Sequence, residues 1–468
     1  MTCWLSELAN RKSRETPIKD TSIHLPWVIL LVGAVVLFSA TASASSREFQ
    51  QRNAYLDARA LLRQGALKEF RAAAAELDDY ALRPYLDYYY IRNRLSNTAP
   101  REVVNFLEKY PDLPVTPLLR KRWLRELGRS RQWQSLRKHY EPTNDAEIHC
   151  YFLRSLYGTG DQASALDQTT AIWLQPSSQP KSCDPLFEVW RQTPRFSQAV
   201  VWQRFSAALE AGEPNLARYL IRYLSGDNKA LAETFYEVHI RPARITRTSN
   251  YRSDNDVMRT IIAHGIARLA KRDSAKAAQA WNKYRKSHAF DSATSARLDG
   301  IVAVAQAENE NLFPDDGLRA RLTQSDRLEA LANAGVEAQE WQEVRFWIDR
   351  LPADLQQKAQ WRYWLARSHE ALDGPSEVSD HLYRNIAGMR HYYGFLASRR
   401  LGLTGQMNAQ TTKPLNAVDL LQVRRHHAIT RSIELFAVDD DINGRREWYQ
   451  ALQSMTPEPV SYTHLTLP

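Results

Sequence analysis

The segment "DDDINGRREWYQ" places Asp439, Asp441, Asn443 and Gly444 at positions one, three, five and six of a calcium-binding loop. Its twelfth position is Gln450, whose amide cannot supply the bidentate carboxylate that such a loop requires. The segment therefore reads as an acidic turn between helices. His426 and His427, in "VRRHHAITR", are adjacent. On a helix they diverge by about 100° and cannot readily share one metal ion, so they read as surface histidines. Cys150 and Cys183 have no second Cys or His at ligand spacing, which excludes a zinc site. Glutamates such as Glu434 and Glu447 fall on charged helix faces, where solvation is the default. None is isolated in an apolar stretch, as a general acid working near neutral pH would require. The chain also lacks G-x-S-x-G, P-loop, H-E-x-x-H and dinucleotide fingerprints. The residues nominate no catalytic group, no cofactor and no metal.

The elements that would have to position any chemistry are helical. Glycine is scarce, 17 in 468 residues, while Ala, Leu, Arg and Gln abound, a balance that favours helix over sheet. With 44 % hydrophobic and 25 % charged residues the chain is not disordered, and its length calls for several domains or a repeat array. The 13 Trp and 21 Tyr must be buried or stacked. The net charge of +9 is dispersed without a Lys/Arg run, which argues against nucleic-acid binding.

Apolar residues recur at three and four rather than two. In "AYLDARALLRQGALKEFRAAAAELDDYALRPYLDYYYIRNRL" a first helix ends at Gly65 and a second runs to Asp78-Asp79. A third starts around Pro84, in the first turn that tolerates proline. The phrases "SLYGTGDQASALDQTTAIWL", "AALEAGEPNLARYLIRYL", "ARLAKRDSAKAAQAWNKY", "ANAGVEAQEWQEVRFWIDRLP" and "ARSHEALDGPSEVSDHLYRNI" each read as helix, turn, helix. A single pair cannot bury its own apolar stripe; stacked pairs can. The expected fold is all-α, an irregular helix-pair superhelix.

The N-terminus reads as a signal peptide, residues 1–44. "RKSRETPIK" supplies positive charge, Trp27 to Phe38 an apolar core too short to span a membrane, and Ala42 and Ala44 an A-x-A cleavage site. Cleaved or retained as an anchor, it exports the body. Cys3 belongs to the leader, leaving Cys150 and Cys183 as an even pair in an oxidising compartment. Two buried thiols are the alternative; a disulfide is expected.

Together the phrases "ALRPYLDYYYIRNRL" (Ala81–Leu95), "IHCYFLRSLYGTG", "KSCDPLFEVWRQT", "QQKAQWRYWLARSHEAL" (Gln356–Leu372) and "HYYGFLASRRLG" (His391–Gly402) resemble the large soluble lytic murein transglycosylases of the Gram-negative periplasm. The resemblance runs from about Phe49 to about Tyr449. It implies a U-shaped α-superhelix over residues 45–412, closed into a ring by a small helical linker domain that starts near Pro414 and here covers 413–459 in part. It also implies an enzyme that cleaves the MurNAc–GlcNAc β-1,4 bond of peptidoglycan, using one glutamate, to a 1,6-anhydro product. Glycan strands would be the partner, guided by aromatic and basic residues, with cell-wall synthesis proteins as further partners. The family's catalytic phrases, Glu-Ser, Gly-Leu-Met-Gln and Ala-Tyr-Asn-Ala-Gly, do not occur here, and "GLTGQM" and "NAGVEA" only share letters with them. No catalytic residue is carried over. "VSYTHLTLP" (460–468) departs from the pattern as an aberrant tail. The expectation is a non-catalytic portion whose shortened linker leaves apolar surface exposed on its last helices. The competing expectation is a freestanding tetratricopeptide-like scaffold for protein partners.

Overall fold

The computed structural model describes residues 47–408, Val423 and residues 425–454. The expected leader, the linker's start at Pro414 and the tail at 460–468 lie outside the described residues. Every regular element among those described is an α-helix or a short 3-10 turn, and they contain no strand. The all-α expectation holds.

All five helix–turn–helix phrases fold as such. The pairs are Ala146–Gly158 with Gln162–Trp173, Gln198–Glu210 with Pro214–Leu220, and Asp256–Ala270 with Ser274–Ser287. Ser325–Ala338 with Trp341–Asp349 and Ala359–Asp373 with Glu377–Ala387 complete the set. The turns follow local chemistry. Gly160 and Gly212 take φ of 100° and 78°, where a side chain would be strained. Asp273 caps the next helix, its carboxylate accepting from the Lys276 amide at 2.9 Å.

The chain divides into two compact units, one built from both ends of the described chain and one from residues 124–408 between them. In the central unit, successive pairs share an apolar core that runs from Cys150 to Ala305 and includes Trp190, Phe205, Phe235 and Trp281. Further clusters follow around Trp347 and Trp361, then around Tyr363 and Tyr383. "HYYGFLASRRLG" supplies the last helix of this unit, Tyr392–Arg400, capped by His391. Arg400 reaches Glu370 at 3.4 Å, and Tyr383 donates to the same carboxylate at 2.8 Å, so Glu370 ties three helices together.

The terminal unit holds a helix at residues 47–64, then Leu67–Ala75, Arg83–Asn93 and Pro100–Lys109, with His427–Ala437 and Asp441–Ser454 packed among them. The latter two, the closing pair, correct an expectation. Val423, Ala428, Ile429, Trp448 and Ala451 form a buried cluster rather than an open apolar face, although Ile442 and Tyr449 remain exposed.

Cys150 and Cys183 are joined as a disulfide, with Cα atoms 5.0 Å apart and both residues fully buried. The bond ties helix Ala146–Gly158 to the 3-10 turn Lys181–Cys183. Native protein unfolded without reductant should therefore show no titratable thiol from this pair. Replacing both cysteines with serine should lower stability by about 3–4 kcal/mol in urea denaturation. Two free thiols before reduction would contradict the pairing.

Candidate functional site

The chemistry-bearing residues of the closing pair do not lie on solvated faces. Glu447 is 0 % exposed and Glu434 6 % exposed, which overturns the reading of both as ordinary surface carboxylates. A buried carboxylate needs partners for its lone pairs, and the N-terminal segment and the closing pair itself provide them. Arg52 forms a bidentate pair with Glu434, Nε to Oε2 at 2.8 Å and Nη2 to Oε1 at 2.6 Å, and Tyr80 donates to the same group at 2.7 Å. Arg431 forms a second fork on Glu447 at 2.8 and 2.9 Å, joined by the Tyr85 hydroxyl at 2.9 Å. Burial raises the Glu447 pKa, against the pull of Arg431 and Tyr85. Burial likewise raises Tyr80 and Tyr85, aided by the carboxylates they face, so both remain protonated donors.

The calcium-loop lookalike takes part in the same arrangement. Asp439 sits at the turn with φ of 58°. Asp440, which the loop template ignores, accepts from Tyr89 and lies 3.4 Å from Arg59, whose guanidinium also stacks over the Tyr89 ring at 4.2 Å. Asn443 donates to the Tyr89 hydroxyl at 2.8 Å and to Asp440 at 3.0 Å. The segment is a docking surface made of side chains. No cluster of three His, Cys, Asp or Glu that could hold a metal ion occurs among the described residues. His427 is exposed and His426 half-buried.

Sequence reasoning missed two features of the central unit. A cavity of about 700 Å³ is lined by Arg259, Arg268, Lys271 and Arg297 together with His264, and by the acids Glu210, Asp256 and Asp291, of which Asp256 pairs with Arg259. Behind His264, His239 meets it ring to ring, Nδ1 to Nε2 at 3.0 Å, one nitrogen donating to the other. Arg268 donates to the His239 carbonyl at 2.9 Å. Burial, with Arg268 adding to it, pushes both imidazoles down to about 4. The second feature is where the aromatics go: Trp190, Trp281, Trp347 and Trp361 are fully buried, so they build the core rather than a binding platform. The spacing of two histidines on separate helices carries no sequence signal for either.

No protein-family profile matches the chain. The soluble lytic murein transglycosylase of Escherichia coli strain K12 is 23 % identical over 437 residues, covering 92 % of this chain and 67 % of that protein. Its Salmonella typhimurium counterpart is 25 % identical over 442 residues, with the same coverage. The solved structure of an inactive mutant of the lytic transglycosylase Slt from Pseudomonas aeruginosa superposes with a TM-score of 0.74 and 28 % identity, over 88 % of this chain and 68 % of that one. The chain is a relative of the soluble lytic murein transglycosylases. It spans about two thirds of the length of these family members. The 70 kDa Escherichia coli enzyme of this family shares the fold, with a TM-score of 0.72 at 22 % identity.

Two outcomes test the geometry. Glu447→Ala leaves the half-buried Arg431 unpaired and should cost about 3–5 kcal/mol in urea denaturation. The double change with Arg431→Met should cost less than the sum of the single changes; strict additivity would contradict a coupled pair. The histidine pair sets a pH dependence. An unfolded histidine titrates near about 6.5 and the folded rings near 4, so the unfolded chain binds more protons between those values. Their contribution is present above the unfolded value and is lost as pH falls toward the folded one. His264→Gln should therefore flatten the fall in urea midpoint between pH 7 and 5 relative to the unaltered protein. An identical slope would contradict the assignment.

Proposed function

We propose that these residues form the non-catalytic helical part of an exported, periplasmic lytic transglycosylase, one that cleaves the MurNAc–GlcNAc β-1,4 bond of peptidoglycan to a 1,6-anhydro product. In this reading the helical array holds glycan strands and the bond is broken elsewhere. The observation that carries it is the relation to the soluble lytic murein transglycosylases over 92 % of the chain. Arg268, Lys271 and Arg297 in the central cavity, which outnumber the acids not paired with Arg259, support contact with a polymer whose stem peptides carry carboxylates.

The reading of the array as non-catalytic has a physical basis in Glu447. Acid catalysis at a glycosidic oxygen needs a carboxyl group with a raised pKa and open access to the substrate. Glu447 meets the first condition and fails the second, because it is 0 % exposed and its oxygens are occupied by Arg431 and Tyr85. Among the described residues no helix is long and apolar enough to cross a membrane.

Purified protein should co-sediment with isolated peptidoglycan sacculi, and the bound fraction should fall as salt screens the arginine and lysine attraction. Long incubation should release no anhydro-muropeptide detectable by chromatography. Failure to sediment at low salt would overturn the glycan-holding role, and a 1,6-anhydro product above the control would overturn the non-catalytic assignment.

A further inference from the structure

Two cavities of the central unit, of about 490 and 660 Å³, share Ser178 and Gln179 as a common wall. Both volumes fall in the range of about 300–1,000 Å³ usual for ligand sites. The wall belongs to the segment "LQPSSQP" that leads from Trp173 to the disulfide at Cys183. It is held in place from below. Arg204, only 5 % exposed, donates to the carbonyls of Gln175 and Ser177, both at 3.1 Å, and stacks over the Trp173 ring at 4.8 Å. Burial lowers the Arg204 pKa to about 10, so it stays cationic at neutral pH and keeps both bonds. The disulfide fixes the far end of the same segment to helix Ala146–Gly158, whose His149 lines the larger cavity.

The chemistry of the two linings is complementary. The smaller cavity carries equal numbers of opposite charges, Asp184 and Glu188 against Arg191 and Arg204, and presents the ring of Tyr219. Tyr219 is 42 % exposed and braced, its hydroxyl 2.8 Å from that of Tyr223 and its ring covered on one side by Arg222 at 4.1 Å. Tyr223 in turn accepts from Arg191 at 2.7 Å. The larger cavity has no acidic or basic residue in its lining apart from His149, and burial keeps that imidazole neutral. It offers the amides of Asn144, Gln168 and Gln179 and the hydroxyls of Thr143 and Ser178 instead. The cavity around His264 differs from both, since its lining mixes four basic with three acidic residues.

A wall with no net charge, amides that both donate and accept, and a braced exposed ring match one ligand chemistry. We infer that the two cavities form one groove that binds an uncharged chain of β-linked N-acetylated amino sugars, with the acetamido groups on the amide-lined side and a pyranose face on Tyr219. This rests on the glycan-holding reading above and names where the strand lies. The ring supplies a flat apolar surface for pyranose C–H groups, and side-chain amides satisfy both the N–H and the C=O of an acetamido group.

The test is calorimetric titration of the full chain with a tetramer of β-1,4-linked N-acetylglucosamine, and with the same tetramer after complete de-N-acetylation. The acetylated probe should bind and the de-acetylated, cationic probe should not. Tyr219→Ala and Gln168→Ala alter exposed side chains and should leave the melting temperature unchanged. They should weaken binding about tenfold and about fivefold, respectively. Reducing the disulfide should weaken it as well, because the shared wall loses its anchor. Equal binding of both probes would overturn the acetamido assignment, and variants that bind like the unaltered protein would put the site elsewhere. No binding of the tetramer while sacculi still sediment would overturn the groove and leave the broader reading standing; loss of both would overturn both.

Discussion

A carboxylate enclosed by protein must be matched by charge and by donors, and that requirement organises the terminal unit. Glu434, Asp440 and Glu447 all project from the closing pair, and each meets a tyrosine hydroxyl from the first ninety residues. Arg52 and Arg431 bring the compensating charge as two-pronged forks. Such a network contributes little net stability compared with an apolar packing of equal volume, while losing one partner is severe. Its value lies in geometric selectivity. A helix pair docked one turn out of register would leave buried charges unmatched, so the arrangement of the two chain ends is specified more tightly than apolar contact alone could manage.

The central unit follows the opposite logic. There the helix pairs are held by a continuous apolar core from Cys150 to Ala305, extended by the clusters around Trp347 and Tyr383. Each pair hides its stripe against the next, which explains why prolines and left-handed glycines fall in the turns or the first residues of helices and why the tryptophans are consumed by packing. Polar function is left to what lies between pairs: the Arg204-braced segment in one place and the His239–His264 contact in another.

The helices and their pairing were legible because a 3.6-residue period and turn residues are local signals. Pro84 marks a first helical turn, and Gly160 and Gly212 mark reversals. The Cys150–Cys183 disulfide was legible from the expected export and an even count. What was not legible is what depends on distant partners. Glu447 looks like any solvated glutamate until Tyr85, 362 positions earlier, is brought against it. In the tyrosine helix Arg83–Asn93 the periodicity puts Leu86, Tyr89 and Tyr90 on one side, yet Tyr85 and Tyr88 are buried with Leu86 and Tyr89 while Tyr90 is only half-buried. The acidic turn carried a calcium-like spacing, but its working residues are Asp440 and Asn443, and their ligand is a tyrosine.

The account stands or falls on whether the tyrosine hydroxyls hold the closing pair. Hydrogen–deuterium exchange, followed peptide by peptide, measures this most directly when the unaltered protein is compared with a Tyr80→Phe, Tyr85→Phe, Tyr89→Phe variant. Removing three hydroxyls while keeping the rings leaves the apolar packing in place and strips one donor from each enclosed carboxylate. The account predicts a marked loss of protection in His427–Ala437 and Asp441–Ser454, with helices of the central unit such as Asp256–Ala270 unchanged. Undiminished protection of the closing pair in the variant would contradict it.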